Sequence, residues 1–146
     1  MEATKRILVV SRMTQSCRVA VQHGISLARK YGAELFVMHV VHNPFGRKGW
    51  SLPTISLEAE YKKILEDAKA DLDRIISQEQ GDGFAIHELI KEGDPTKEIL
   101  KTVKSEKIDL MILLAHEEGR LEHLVFGRSN EELIRKMPCS ILLVKK

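Results

Sequence analysis

Arg12 lies in the polar stretch after an apolar run and Arg128 closes a polar loop, and both are suited to gripping an anion. A guanidinium meets phosphate oxygens through paired hydrogen bonds and needs no metal to do so. The competing reading is a pair of surface arginines engaged in salt bridges. Ser129 could touch a phosphate, but Ser129-Asn130-Glu131-Glu132 also fits a capping box, with Ser129 as cap and Glu132 reaching back. His116 follows an apolar run and, with an ordinary pKa of about 6.5, could act as a base or a ligand contact. No nucleophile or carboxylate stands at a spacing that would make it catalytic, so a polar loop histidine is the simpler expectation. Asp94 precedes Pro95, which favours a helix cap over a catalytic acid. Cys17 and Cys139 form no CxxC pair and no Cys/His cluster, so two reduced packing thiols are expected. His39 is expected to pack at a strand end. His23, His42, His87 and His123 show no metal-ligand pattern, and no metal site is expected.

These residues need a scaffold, and the apolar pattern supplies one. Lys5 to Val10, Glu34 to Val41, Phe84 to Ile90, Ile108 to Leu114 and Ser140 to Val144 read as strands, several of them continuous apolar runs. Helical spacing links Cys17, Val21, Gly24 and Ala28, with Gly32 as a stop. Leu57, Tyr61, Ile64, Leu65, Ala68, Leu72, Ile75 and Ile76 form the longest helical stripe and are expected to pack into the core. Gly93-Asp94-Pro95 opens a third helix, and Leu133, Ile134 and Met137 share one face of a fourth, which Pro138 ends. Trp50 stands in an irregular Gly/Pro loop. The order βαβαβαβαβ predicts a single α/β domain over residues 1–146, a doubly wound, open parallel sheet with helices on both faces. Such sheets bind ligands beyond the strand carboxyl ends, where strand order reverses. If the first and fourth strands are neighbours, Ser11 to Ser16 and Ala115 to Ser129 line that crevice.

Composition excludes several classes. The 23 basic and 21 acidic residues leave a net charge of +2, too balanced to imply nucleic acid. With 43% apolar and 30% charged residues and no long apolar run, no membrane span is expected. The first residues lead directly into Ile7 without a signal-type apolar core, so a cytoplasmic protein is expected.

Four stretches resemble the universal stress protein family. They are Lys5 to Val10 with Leu27 to Leu35; Met38-His39-Val40-Val41; Gly93-Asp94-Pro95 with Glu98-Ile99-Leu100; and Gly127 through Pro138-Cys139 to Val144. Their order and spacing span nearly the whole chain. The resemblance implies a Rossmann-like, adenine nucleotide alpha hydrolase-like sheet of five strands in order 3-2-1-4-5. It also implies a homodimer joined through the last strand and a regulatory or stress-response role without catalysis.

Some members of that family bind ATP through Gly-x-x-Gly, a nine-residue spacer, then Gly-Ser or Gly-Thr. Here only Gly127 matches. Leu114 and Glu117 stand at the two earlier glycine positions, Arg128 replaces the hydroxyl residue, and only seven residues separate Gly119 from Gly127. Arg12 stands where ATP-binding members carry an aspartate. Arg12 and Glu117 could pair across the cleft as one coupled change. The adenine end still matches, at Val40 and at the turn holding Gly93 and Pro95. The nucleotide or anion candidates are therefore Ser11, Arg12, Thr14, Val40, Gly93, Pro95, Ala115, His116, Gly127, Arg128 and Ser129. AMP or ATP without a firm Mg²⁺ site is the expected ligand class, with weak, altered or absent binding. Two alternatives stay open: an ATP-binding or slowly ATP-hydrolysing member, and a docking module acting through its edge strand.

Overall fold

The computed structural model describes residues 3–11, 17–41, 54–80, 84–115 and 128–145. Among the described residues nine elements alternate: β1 (Arg6–Val10), α1 (Cys17–Tyr31), β2 (Glu34–Val41), α2 (Thr54–Gln80), β3 (Ile86–Glu92), α3 (Pro95–Ser105), β4 (Leu110–Leu114), α4 (Arg128–Lys136) and β5 (Ser140–Val144). The five strands form one sheet in the order β3-β2-β1-β4-β5, and every pairing is parallel. Leu8 of β1 lies between Phe36 of β2 and Met111 of β4.

Each face of the sheet carries its own core. On one side α1 and α2 bring Ala20, Val21, Ile25, Ala28, Leu72, Ile75 and Ile76 onto Ile7, Val9, Leu35 and Val37. On the other, α3 and α4 bring Ile99, Val103 and Leu133 onto Leu8, Phe36, Met38 and Met111. Successive strand residues point to opposite faces, so a strand covered twice must be apolar throughout. That is why β1, β2 and β4 read as unbroken apolar runs.

Local signals act as the sequence predicts. Gly32 adopts φ 63 just after α1, and Ala33 N–H returns to the Ala28 carbonyl at 2.9 Å, closing the helix. Asp94 caps α3 by accepting from Lys97 N–H at 3.0 Å, with Pro95 in the first turn. The α1–α2 junction is tied by Glu79, which accepts from Arg18 Nε and Gln22 Nε2, both at 2.8 Å. Cys17 and Cys139 are both free thiols. Burial raises the Cys139 pKa, a backbone hydrogen bond from the Met111 region opposes this, and the charge of Asp109 adds to it. A thiol held protonated in this way is a poor nucleophile.

Several boundaries and packing expectations change. β3 runs over Ile86–Glu92 rather than from Phe84, because an edge strand accepts charged residues whose side chains reach water. β4 begins at Leu110 rather than Ile108. α4 begins at Arg128, so Ser129 is its second residue rather than the residue before it. Only part of the long apolar stripe reaches the core. Leu72, Ile75 and Ile76 are buried, Tyr61, Leu65 and Ala68 are half-buried, and Ile64 is exposed. The 27 residues of α2 would extend about 40 Å at a helix's rise, whereas the eight of β2 extend about 26 Å. A helix that outruns its sheet leaves one end of its apolar face without a strand beneath it. Ile134 and Met137 are likewise exposed rather than packed, and Met137 leaves the helix at φ 42. Leu57, Trp50, and the side chains of residues 54–58 lie outside what is described.

Gly24 sets how closely α1 approaches the sheet. A Cβ at this position would stand 2.6 Å from Val9 Cγ2 and 3.1 Å from Leu35 Cδ1. On an open helix Gly→Ala gains up to about 1 kcal/mol. Here Gly24→Ala is expected to lose about 1–3 kcal/mol through overpacking, read as a lower urea midpoint. A stabilised variant would contradict the close-approach reading.

Candidate functional site

All five strands are parallel, so their carboxyl ends share one edge of the sheet. β1 and β4 are neighbours at its centre. The chain leaves β1 for α1 on one face and leaves β4 for α4 on the other. A crevice must open between two connections that part in opposite directions, and this is where open α/β sheets bind ligands. The expected neighbourhood of the first and fourth strands is therefore met.

Ser11 directly follows β1 and is 2% exposed. Its N–H donates to the Met38 carbonyl at 2.7 Å, and its carbonyl accepts from His39 Nδ1 at 2.9 Å. A carbonyl has no proton to give, so His39 carries its hydrogen on Nδ1. Burial lowers the His39 pKa, and the bond to Ser11 only partly offsets this. The imidazole is therefore neutral at physiological pH. His39 acts as a brace that fixes the direction in which the chain leaves β1.

On the other side of the crevice, Ala115 follows β4, and its N–H donates to the Val144 carbonyl at 2.8 Å. The preceding residue, Leu114, is buried and still paired with Val144 in the β4–β5 ladder. Its carbonyl accepts from Asn130 Nδ2 at 3.1 Å. Asn130 is itself buried in the first turn of α4. This one amide ties the start of α4 to the end of β4 and so fixes where the helix's unpaired N–H groups point. The sequence reading counted Asn130 only as a member of the capping box. A short amide just inside a helix, following a strand end, was the available clue.

Val40 and the Gly93 turn lie along the same edge. Val40 is 7% exposed near the end of β2. Gly93 N–H donates to the Val41 carbonyl at 3.0 Å, which joins the turn to that strand end. Gly93 adopts φ 130, a conformation side chains rarely take, and Glu98 Oε1 would stand 3.5 Å from a Cβ there. Pro95 then starts α3.

Of the expected site residues, Ser11, Val40, Gly93, Pro95 and Ala115 thus meet at one sheet edge, with Arg128 and Ser129 opening α4 beside it. The side chains of Arg128 and Ser129, and all of Arg12, Thr14, His116 and Gly127, lie outside the described residues, as does Glu117. Among the described residues no three His, Cys, Asp or Glu side chains are grouped to hold a metal ion, and no helix is long and apolar enough to cross a membrane.

Comparison with known proteins agrees with this architecture. The chain is 25% identical over 154 aligned residues to Universal stress protein MJ0577 of Methanocaldococcus jannaschii, covering 97% of this chain and 95% of that one. The solved structure of hypothetical protein MJ0577 superposes with a TM-score of 0.78 at 25% identity, over 99% of this chain and 98% of that one. A crystal structure of a universal stress protein in complex with cAMP shares the fold, with a TM-score of 0.63, 16% identity and coverage of 99% and 98%. The sequence pattern of the Universal stress protein family matches residues 3–145, so the chain belongs to that family.

Proposed function

We propose that this chain is a regulatory stress-response protein of the cytoplasm that works without catalysis. Its cleft at the β1–β4 divide is altered away from Mg-ATP and takes an adenosine-type ligand at most weakly. Leu114 carries this reading. Where the family's ATP-binding members place the first loop glycine, this chain has a buried leucine that remains in the β4–β5 ladder and is anchored by Asn130. Backbone N–H groups wrap phosphates where the chain is free to curl closely around them. A residue committed to a strand cannot take part in that curl. Glu117 adds a negative charge where a triphosphate would lie, and Arg12 removes the acidic residue of the first loop. Phosphoryl transfer depends on positioning and on charge neutralisation, mostly by Mg²⁺, so these replacements weigh against an ATPase.

The adenosine end is better preserved, through Val40 and the Gly93–Pro95 turn. A related fold is known in complex with cAMP, which makes nucleotides with one phosphate the natural test set. Thermal shifts with AMP, cAMP, ADP and ATP, each with and without Mg²⁺, check this. A gain of a few degrees with AMP or cAMP that ignores Mg²⁺ is expected, at about 2–4 °C per kcal/mol for a chain of this size. A larger, Mg²⁺-dependent gain with ATP would refute the altered-loop reading. The double variant Arg12→Asp with Glu117→Gly should raise ATP affinity, and unchanged affinity would show that these two positions do not govern the loop.

The sheet's two edges support pairing of two copies through β5. β3 exposes His87, Glu88, Lys91 and Glu92, charges of the kind that discourage strand addition. β5 is Ser-Ile-Leu-Leu-Val, with Leu143 48% exposed and Met137 and Ile134 exposed nearby. Sedimentation of the wild-type chain should report a dimer, and Leu143→Lys should shift it toward monomer. A dimer indifferent to this substitution would place the interface elsewhere.

A further inference from the structure

The Leu114 carbonyl stands where the sheet divides. Backbone groups of successive strand residues turn to alternate sides of the strand. Ala115 N–H donates to Val144 of β5 at 2.8 Å, so the N–H and carbonyl of Leu114 turn the other way, toward β1. The β1–β4 ladder has ended by then, its last pair being Val9 with Ile112. Continuing that register sets Ser11 level with Leu114, and Ser11 turns both its backbone groups to β2, through Met38 and His39. The Leu114 carbonyl therefore faces the divide without a strand partner, and Asn130 Nδ2 donates to it at 3.1 Å. The carboxamide of Asn130 is thus placed between the ends of β1 and β4, not on the outer side of α4.

A carboxamide carries two donor hydrogens and an oxygen that accepts. The bond to Leu114 uses one hydrogen. Among the described residues Oδ1 and the second hydrogen have no partner, although Asn130 is only 8% exposed. Polar atoms this deep in a folded chain are normally paired. An open acceptor and an open donor held side by side mark a place that water or a ligand completes. The bond to Leu114 also fixes the amide, so the open pair is already oriented when a ligand arrives.

The chemistry of that pair selects what it binds. An ionised phosphate oxygen can only accept, so Oδ1 repels it. A hydroxyl both donates and accepts, and matches the two atoms. Position agrees with this choice. Val40 lies near the carboxyl end of β2, and β4 is two strands away, about 10 Å at the spacing of a sheet. A base seated against Val40 and the Gly93 turn carries across β1 the group bonded to it, which is the sugar. We propose, resting on the adenosine-type cleft set out above, that Asn130 reads the ribose: Oδ1 accepts from a sugar hydroxyl and the second Nδ2 hydrogen is donated to the same hydroxyl or its neighbour. The cleft then prefers a ribonucleotide to its deoxy counterpart.

NMR titrations of the full chain with AMP, 2′-deoxy-AMP and 3′-deoxy-AMP test this. At least one deoxy analogue should bind on the order of tenfold more weakly than AMP, the effect of one lost hydrogen bond to a buried partner. The side-chain amide resonances of Asn130 should move with AMP and move less with the weaker analogue, a reading that needs no variant. Asn130→Leu keeps the size of the side chain and removes its polar atoms, and should bring the three affinities together. Equal binding of AMP and both analogues to the wild-type chain would overturn the role of Asn130 and leave the cleft standing. A preference that survives in Asn130→Leu, or Asn130 resonances indifferent to AMP, would overturn it as well, by assigning the sugar to another group. No binding of AMP at all would overturn the adenosine-type cleft itself, and the ribose reading with it.

Discussion

A central parallel strand enclosed on four sides governs this molecule. β1 is hydrogen-bonded to β2 and β4 at its two edges and covered by helices above and below, and Ile7, Leu8 and Val9 are fully buried. Such a strand has no room for a charge or for an unpaired polar group. Chemistry can begin only where the strand ends, and the chain turns polar at Ser11. The same constraint reaches outward to α1, where a residue without a side chain lets the helix lie directly on Val9 and Leu35. It also explains the two neutral braces at the sheet's carboxyl edge. His39 and Asn130 satisfy the carbonyls of Ser11 and Leu114 without placing a charge at the boundary of the core.

How much of this was readable from residue order depends on which forces set each feature. The five strands and four helices were readable because burial on two faces writes itself as continuous apolar runs, and turns write themselves as Gly32 and Gly93-Asp94-Pro95. The order of the strands came from resemblance, since periodicity carries no information on which strand lies beside which. The end of β3 was misplaced because backbone pairing at an exposed edge tolerates Lys91 and Glu92 as readily as apolar residues. The stripe on α2 was overread for a different reason. Spacing reveals that residues share a face, but the depth of their burial depends on how far the sheet extends beneath them, and Ile64 lies beyond that reach.

The place of the residues is legible, their role is not. Ser11 and Ala115 were picked out by position and Val40, Gly93 and Pro95 by resemblance, and all lie along the carboxyl edge. Asn130 was passed over because its bond to Leu114 spans sixteen positions and joins a helix to a strand end, a relation that local spacing does not express.

The unlike borders of the sheet have a consequence for growth. A strand border that accepts a copy of itself is used up when two subunits join about a twofold axis. The border left on each outer flank then carries His87, Glu88, Lys91 and Glu92, and repels further recruitment. Pairing by the proposed route through β5 would be self-terminating, giving a closed pair and not an open-ended fibre.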